Sequence, residues 1–217
     1  MHLFDSNDEP ICPVCLNTLS FDQQLSSFSL CSKCLSELKV VKEKFKVDGR
    51  DWYVLYEYNE FIERLFFRFK EQRDIALAPI FIQGHQEWIA AILKGKTCCV
   101  VPSGQIQRQK RGFEPLLEIF LSMNVILYSP FYKQKEHKQS SLNPSQRKEI
   151  SSILQPKKIY PKLEGDILWM DDVCTTGATL NKCVEWKKCT SVLVLAAHPK
   201  WMEQQREKRL LKKGSFW

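Results

Sequence analysis

The most constraining stretch of this sequence is an apolar run that leads into two adjacent acids and a threonine-rich loop. Residues 167–170 are Ile, Leu, Trp and Met, Asp171 and Asp172 follow, and residues 173–179 (VCTTGAT) lead into a helical pattern. This order predicts a strand, a loop and a helix, with the acids at the carboxyl end of the strand. Ligands of open α/β sheets bind at that edge, so the stretch predicts a binding site.

The loop is suited to an anion. Gly177 permits a tight backbone, Thr175 and Thr176 offer hydroxyl groups, and the amides at a helix start carry partial positive charge. Asp171 and Asp172 would repel a phosphate, so we expect them to contact another part of the same ligand. Carboxylates accept hydrogen bonds from vicinal hydroxyls, as on a ribose. The predicted ligand is therefore a ribose that carries a 5'-phosphate.

The same stretch resembles the phosphoribosyl pyrophosphate (PRPP) loop of type I phosphoribosyltransferases. Their pattern is two acids, an apolar or small residue, a variable residue and then Thr-Thr/Ser-Gly-x-Thr. The resemblance implies that the acids hold the ribose hydroxyls, that the loop binds the 5'-phosphate, and that Mg²⁺ accompanies PRPP. The predicted ligand-binding residues of the loop are Asp171, Asp172, Val173, Cys174, Thr175, Thr176, Gly177, Ala178 and Thr179. The alternative is an ordinary strand-to-helix turn with solvent-exposed acids.

A second motif consists of four cysteines near the N-terminus. Two C-x2-C pairs, separated by fifteen residues, have the spacing of a zinc ribbon or knuckle. Two thiolates on each tight turn can take two corners of a tetrahedron, which predicts a closed, structural Zn²⁺ site. Unliganded thiols or a redox pair are the alternative. The predicted zinc ligands are Cys12, Cys15, Cys31 and Cys34.

The other cysteines carry different expectations. Cys98, Cys99, Cys183 and Cys189 lie in apolar or amphipathic runs, which predicts packed thiols. Cys174 occupies the variable position of the threonine loop, and we expect it to be partly exposed.

The composition of the 217 residues excludes some classes of protein. No apolar run approaches the roughly 20 residues that span a bilayer, and the N-terminus lacks a secretion signal. We therefore expect a cytoplasmic protein without membrane insertion. Lys and Arg exceed Asp and Glu by seven, which favours polyanionic partners or phosphorylated ligands.

Hydrophobic periodicity predicts alternating strands and helices after the cysteines. Residues 39–51 are charged and are interpreted as a linker; residues 52–58, 97–101, 124–127 and 191–197 have strand patterns. Asn59 is predicted to cap a helix over residues 60–72 whose apolar stripe faces the core, and further helices should cover residues 80–81 and 86–93. The predicted fold class is α/β, a mostly parallel twisted sheet flanked by helices, with a small zinc module. The predicted domains are residues 1–48, the zinc-binding module and linker; residues 49–199, a phosphoribosyltransferase-like domain; and residues 200–217, a basic tail.

The strand at residues 97–101 also ends in a turn, formed by Pro102, Ser103 and Gly104. In a phosphoribosyltransferase the equivalent turn binds pyrophosphate, and the basic run after it could stabilise charge on a leaving pyrophosphate. This run is predicted to be irregular and to lead into an apolar helix that ends near residue 123. The predicted catalytic residues are Asp171, Asp172, Arg108, Lys110 and Arg111, with Lys138 as a further ligand contact. A solvated basic loop is the alternative for the cations.

Several motifs together resemble the ComF subgroup of these proteins. They are a strand ending in Val-Pro, an Arg-rich run with Arg-Gly-Phe, the four cysteines, an aromatic strand and helix ending near Lys70, and a later basic segment with Lys138, Gln139, Leu142 and Arg147. The resemblance covers residues 12–197. Glu114 and Ile150 depart from it, because many relatives have Asn at both positions.

The ComF resemblance implies a competence protein that assists the uptake or processing of incoming single-stranded DNA during natural transformation. It also implies a helicase-like ATPase partner of the ComFA type. The alternative function is an active phosphoribosyltransferase of nucleotide metabolism or salvage. Residues 200–213 predict a basic helix that either contacts nucleic acid or a partner, or packs on the domain through Trp201 and Leu210.

Overall fold

The structure is a computed structural model that describes residues 10–134, 153–157, 163–186 and 189–214. The strands are β1 (Val40–Val47), β2 (Arg50–Glu57), β3 (Thr97–Val100), β4 (Leu127–Tyr128), β5 (Phe131–Gln134), β6 (Ile153–Pro156), β7 (Ile167–Cys174) and β8 (Cys189–Ala197). The α-helices are α1 (Phe21–Gln24), α2 (Ser32–Glu37), α3 (Glu60–Lys70), α4 (Gln86–Leu93), α5 (Gln105–Arg111), α6 (Pro115–Ile119), α7 (Ala178–Trp186) and α8 (Pro199–Gly214). Short 3-10 helices cover Ile75–Phe81 and Leu121–Met123.

The main sheet has the strand order β1-β2-β8-β7-β3-β4. The edge strand β1 is antiparallel to β2, and the other neighbouring pairs of this sheet are parallel. Strands β5 and β6 form a separate antiparallel pair. The predicted α/β class with a mostly parallel sheet is confirmed.

Alternating side chains divide the core between the two faces of the sheet. One face buries Leu168 and Met170 of β7 against α3, α4, α6 and the first 3-10 helix. The other face buries Trp169 of β7 and Trp52 of β2 against α7 and α8. Because successive strand residues point to opposite faces, a strand covered on both sides is apolar throughout, as β7 is over its first four residues.

Most predicted elements are confirmed, with local corrections. The Asn59 side chain accepts a hydrogen bond from the Ile62 amide at 2.9 Å and so caps α3, whose apolar stripe is buried. Residues 124–127 were a strand candidate, but β4 begins only at Leu127. The helix expected near residues 80–81 is a 3-10 helix that contains Pro79, which lacks the amide that a longer α-helix would need.

The interpretation of residues 39–51 as a linker is wrong, because most of that stretch forms β1 and its turn into β2. The strand is charged since one side faces solvent: Lys44 and Lys46 both pair with Asp51 of β2, at 3.0 and 2.6 Å. Phe45 points the other way and is buried against Trp201. An edge strand with one solvated face has a composition similar to that of a linker. Only the alternation of charged and apolar residues along the strand distinguishes the two.

The cysteine module packs directly on the sheet domain. Its buried residues Leu30 and Cys34 belong to the same apolar cluster as Leu65 of α3. The Arg68 guanidinium of α3 donates to the carbonyls of Val14 and Pro13, at 2.6 and 3.3 Å. The module and α3 are therefore joined both by apolar contact and by charged hydrogen bonds.

The predicted C-terminal helix is confirmed as α8. Trp201 and Met202 are buried, and Arg206 forms a bidentate pair with Glu43 of β1 at 2.6 and 3.1 Å. Leu210, which was expected to pack with Trp201, is 69% exposed. The first half of α8 is thus part of the domain. No helix in the described ranges is long and apolar enough to cross a membrane.

Candidate functional site

The predicted residues 171–179 and 102–104 lie at the carboxyl ends of two neighbouring strands, β7 and β3. The chain leaves β7 into α7 on one face of the sheet, and it leaves β3 towards α6 on the other face. Connections that diverge in this way open a crevice between the strand ends, which is where open α/β sheets bind ligands. The acid–threonine loop (residues 171–179) and the turn at residues 102–104 lie at these strand ends and line two separate cavities.

The acids lie within β7 and not after it, because the strand continues through Cys174, which pairs with Ala197 of β8. Cys174 is 2% exposed, so the expectation of a partly exposed thiol is wrong: strand alternation turns it into the core. Burial raises the pKa of the Cys174 thiol to about 12, which makes it a poor nucleophile. The expectation that Cys98, Cys99, Cys183 and Cys189 are packed is confirmed.

The threonines are presented by a tight turn at Gly177. Thr175 and Thr176 are exposed, and the Ala178 amide donates to the Thr176 hydroxyl at 3.3 Å. Gly177 has a φ of 77°, and a Cβ there would lie 3.3 Å from the Trp52 ring. A residue with a side chain would be unfavourable at this position, because the backbone is left-handed and lies against the Trp52 ring. The loop lines a small recess of about 40 Å³.

The two acids differ in their surroundings. Asp172 pairs with Lys70, the last residue of α3, at 2.6 Å. Asp171 accepts a hydrogen bond from the Asp172 amide at 3.0 Å. Burial, and then the charge of Asp172, raise the pKa of Asp171 to about 7, although Lys133 and Lys70 oppose the shift. Near neutral pH, Asp171 can therefore exchange a proton while Asp172 is held by a cation.

This raised pKa predicts a pH dependence of stability. Asp171 has a pKa of about 7 in the native state, whereas the unfolded chain releases this proton at the ordinary pKa of 3.8. The contribution of Asp171 to the free energy of unfolding is therefore fully present below about pH 4 and is lost as the pH rises through 7. Asp171→Asn should thus gain stability relative to wild type as the pH increases from 5.5 to 8.5, by on the order of a few kcal/mol. Urea unfolding of both proteins across this range measures the difference. Parallel pH profiles would contradict the prediction.

The turn at residues 102–104 is fixed by a second set of contacts. Ser103 donates from its amide and its hydroxyl to one carboxylate oxygen of Glu114, at 3.2 and 2.6 Å. Arg111 donates to the Ser103 hydroxyl at 3.3 Å and to the Lys70 carbonyl at 3.0 Å, and its side chain is 7% exposed and also pairs with Glu71. Arg111 therefore connects the turn to the end of α3, whose Lys70 contacts Asp172.

The predicted basic run is a helix and not an irregular loop. Helix α5 covers its residues up to Arg111, and Gly112, which has a φ of 86°, caps the helix. The apolar helix expected after it is divided into α6 and the second 3-10 helix. Arg108 and Lys110 are exposed on α5, but only Arg108 lines the cavity beside the turn. Lys138, Gln139, Leu142, Arg147 and Ile150 lie outside the described residues.

Two further lysines complete this region: Lys133, which begins the basic segment 133–138 that the sequence suggests as a contact for DNA, and Lys157, which the sequence did not single out. Lys133 of β5 and Lys157 line the cavity of about 330 Å³ beside the turn, together with Arg108 and Glu114. Lys133 is brought there by a bridge between its backbone and Gly104. Both lysines lie in short basic segments of the sequence, and the pairing of β5 with β6 places them beside the turn.

The four N-terminal cysteines form a compact cluster. Their sulfur atoms all lie within 4.8 Å of one another, compared with about 3.8 Å along the edge of a tetrahedron with Zn–S bonds of about 2.3 Å. Burial alone would raise the pKa of Cys12, but hydrogen bonds from the backbones of Cys31, Cys15 and Val14 lower it to about 7. The cluster could hold a metal ion such as zinc. Among the described residues, it is the group whose possible metal ligands lie close together.

Sequence comparison points to competence proteins. No family model matches the chain. Competence protein ComFC of Streptococcus pneumoniae (strain ATCC BAA-255 / R6) is 26% identical over 181 residues, which cover 82% of this chain and 74% of that protein. The similarity to this competence protein extends over most of the chain. The family resemblance that the motifs predicted is therefore confirmed.

Structural comparison finds phosphoribosyltransferases. A hypoxanthine phosphoribosyltransferase from Staphylococcus aureus matches with a TM-score of 0.30 and 12% identity, covering 57% of this chain and 64% of that enzyme. The chain thus spans less than two thirds of that enzyme. Orotate phosphoribosyltransferase from Aeropyrum pernix matches with a TM-score of 0.30 and 17% identity, covering 79% and 96%. Likenesses this weak say nothing about which activity a ComF protein has.

Proposed function

We propose that this ComF protein binds a ribose 5-phosphate, in the form of PRPP, and assists the uptake or processing of incoming single-stranded DNA during natural transformation. The observation that supports the ligand most directly is the acid–threonine loop at the crevice between β3 and β7. Adjacent carboxylates, exposed threonine hydroxyls and a glycine turn occur there in one continuous segment. This combination suits a sugar phosphate better than any other common ligand.

Each part of the ligand has a counterpart in the site. The ribose hydroxyls donate to Asp171 and Asp172, and the 5'-phosphate accepts from the backbone and hydroxyl groups of residues 175–179. Mg²⁺ enters with PRPP as its counter-ion. Lys70 holds the Asp172 carboxylate in place, because the two side chains form an ion pair of 2.6 Å.

Two contacts favour binding over turnover. A transferase must stabilise the negative charge that develops on the departing pyrophosphate. Arg111, one of the predicted catalytic cations, already contacts Ser103, Glu71 and the Lys70 carbonyl. Glu114 places a negative charge at the turn that would face the pyrophosphate. An active phosphoribosyltransferase of nucleotide metabolism or salvage is the second candidate, and Arg108 and Lys110 are then its exposed cations.

An assay of pyrophosphate release separates the two candidates. The protein is incubated with PRPP, Mg²⁺ and a panel of purine and pyrimidine bases, and binding of PRPP is measured in parallel. We expect binding with no release above the rate without protein. Sustained release with one base would favour the transferase and contradict the proposed role.

Exposed cations support the proposed contact with DNA. Arg108 and Lys110 on α5, and Lys200, Lys208 and Arg209 on α8, are exposed. If three or four of them meet phosphates, the logarithm of the affinity for single-stranded DNA should fall with the logarithm of salt concentration with a slope of about −2 to −3. Fluorescence anisotropy with a labelled oligonucleotide from 50 to 300 mM salt measures it. Absence of binding at 50 mM salt would leave the DNA role to the helicase-like ATPase partner of the ComFA type.

We also propose a domain organisation and a location for this protein. Zn²⁺ in the cysteine cluster is structural, because four thiolates leave no open position for catalysis. Residues 1–48 contain the zinc module, residues 49–199 form the phosphoribosyltransferase-like domain and residues 200–217 the basic tail, although β1, within residues 1–48, is the edge strand of the main sheet. The protein acts in the cytoplasm.

A further inference from the structure

Glu114 occupies an unusual position for a carboxylate. It immediately precedes α6, where a side chain commonly caps the helix, but it makes no capping hydrogen bond. Its Oε1 atom instead accepts from the amide and the hydroxyl of Ser103, at 3.2 and 2.6 Å. Glu114 therefore occupies the two donors that the turn at residues 102–104 would offer to a bound anion.

The surroundings of Glu114 are strongly cationic. Arg108, Lys133 and Lys157 line the same cavity of about 330 Å³. Burial, and then the charge of Arg108, lower the pKa of Lys157, and the charge of Glu114 acts in the opposite direction. Among the described residues that line this cavity, three cations face one carboxylate, so the cavity suits an anion with more negative charge than Glu114 supplies.

We propose that Glu114 is a built-in competitor for a diphosphate anion at this turn. A diphosphate can reach the amide and hydroxyl of Ser103 only if the carboxylate leaves, because two anions cannot share these donors without strong repulsion. PRPP should then be held mainly through its ribose 5-phosphate part, and free diphosphate should bind weakly. This inference rests on the proposed function, since it concerns the neighbouring part of the same ligand site.

The competition predicts a gain of binding when the charge is removed. Glu114→Gln keeps the size of the side chain and an oxygen that accepts from Ser103, so the turn should remain in place. We expect Glu114→Gln to bind inorganic pyrophosphate at least tenfold more tightly than wild type, measured by titration calorimetry at pH 7.5 with fixed Mg²⁺. Its affinity for ribose 5-phosphate should change less than twofold. Glu114→Asn, which also removes the charge, should give the same result.

Glu118→Gln on α6 is the matched control, because it makes the same charge change outside the turn contacts. Its pyrophosphate affinity should stay within twofold of wild type. Equal pyrophosphate binding by wild type, Glu114→Gln and Glu114→Asn would overturn the inference, and so would an equal gain in Glu118→Gln. If no protein bound ribose 5-phosphate, the proposed function would fail, while the pyrophosphate titrations would still test Glu114.

Discussion

Replacing Cys34 with serine should release the metal ion from the cysteine cluster and lower the free energy of unfolding by roughly 3 kcal/mol or more. The four sulfur atoms lie within 4.8 Å of one another, and the Cys34 side chain is 4% exposed. Serine removes one of four ligands and leaves a hydroxyl in a buried, apolar place. Structural zinc contributes on the order of 10 kcal/mol in zinc-finger peptides, so the loss of one ligand has a large effect.

Loss of metal binding by the cysteine cluster should also weaken the ligand site. The module shares its apolar cluster with α3, and Arg68 of α3 holds two carbonyls of the module. The same helix ends at Lys70, which pairs with Asp172. Loosening the module therefore removes support from the helix that positions Lys70, and we expect weaker binding of ribose 5-phosphate in Cys34→Ser.

Metal analysis and urea unfolding of the purified protein test this prediction. Cys98→Ser is the control, because Cys98 is also buried but lies in β3, away from the cluster. It should keep one zinc ion per chain and lose about 1 kcal/mol. A metal-free wild-type protein that unfolds in the same way with and without a chelator would contradict the prediction.

The sequence predicts local features of this protein well, because their signals are continuous along the chain. The acid–threonine loop places its carboxylates, hydroxyls and glycine within nine residues, and the strand-to-helix pattern around them is strong. The two C-x2-C pairs are equally local. Strand alternation likewise predicts the division of β7 between two apolar clusters.

Contacts between distant segments could not be predicted in the same way. The Lys70–Asp172 ion pair joins the end of α3 to β7, and its formation depends on how α3 packs on the sheet. Arg111 was predicted to contact the pyrophosphate group of the ligand, but packing places its guanidinium between the Ser103 hydroxyl and the Lys70 carbonyl. Glu114 was visible only as a departure from relatives, and its contact with Ser103 depends on the turn into α6.

The central claim is that Asp171 and Asp172 bind the hydroxyls of a ribose 5-phosphate. Each carboxylate should accept a charged hydrogen bond worth about 1.5–3 kcal/mol. Replacing both with asparagine keeps the size of the side chains. The raised pKa of Asp171 indicates that removing its charge does not destabilise the fold, and the amide oxygen of Asp172→Asn can still accept from Lys70. We therefore expect Asp171→Asn/Asp172→Asn to remain folded and to lose at least about 100-fold in affinity.

Titration calorimetry with PRPP and Mg²⁺ at pH 7.5 tests this claim most directly. Asp166→Asn provides the control, because this exposed acid lies just before the opposite end of β7. Wild type and Asp166→Asn should bind with equal affinity, whereas binding by the double variant should be lost or reduced at least about 100-fold. Equal binding by all three proteins would contradict the assignment of the acid–threonine loop as a ribose 5-phosphate site.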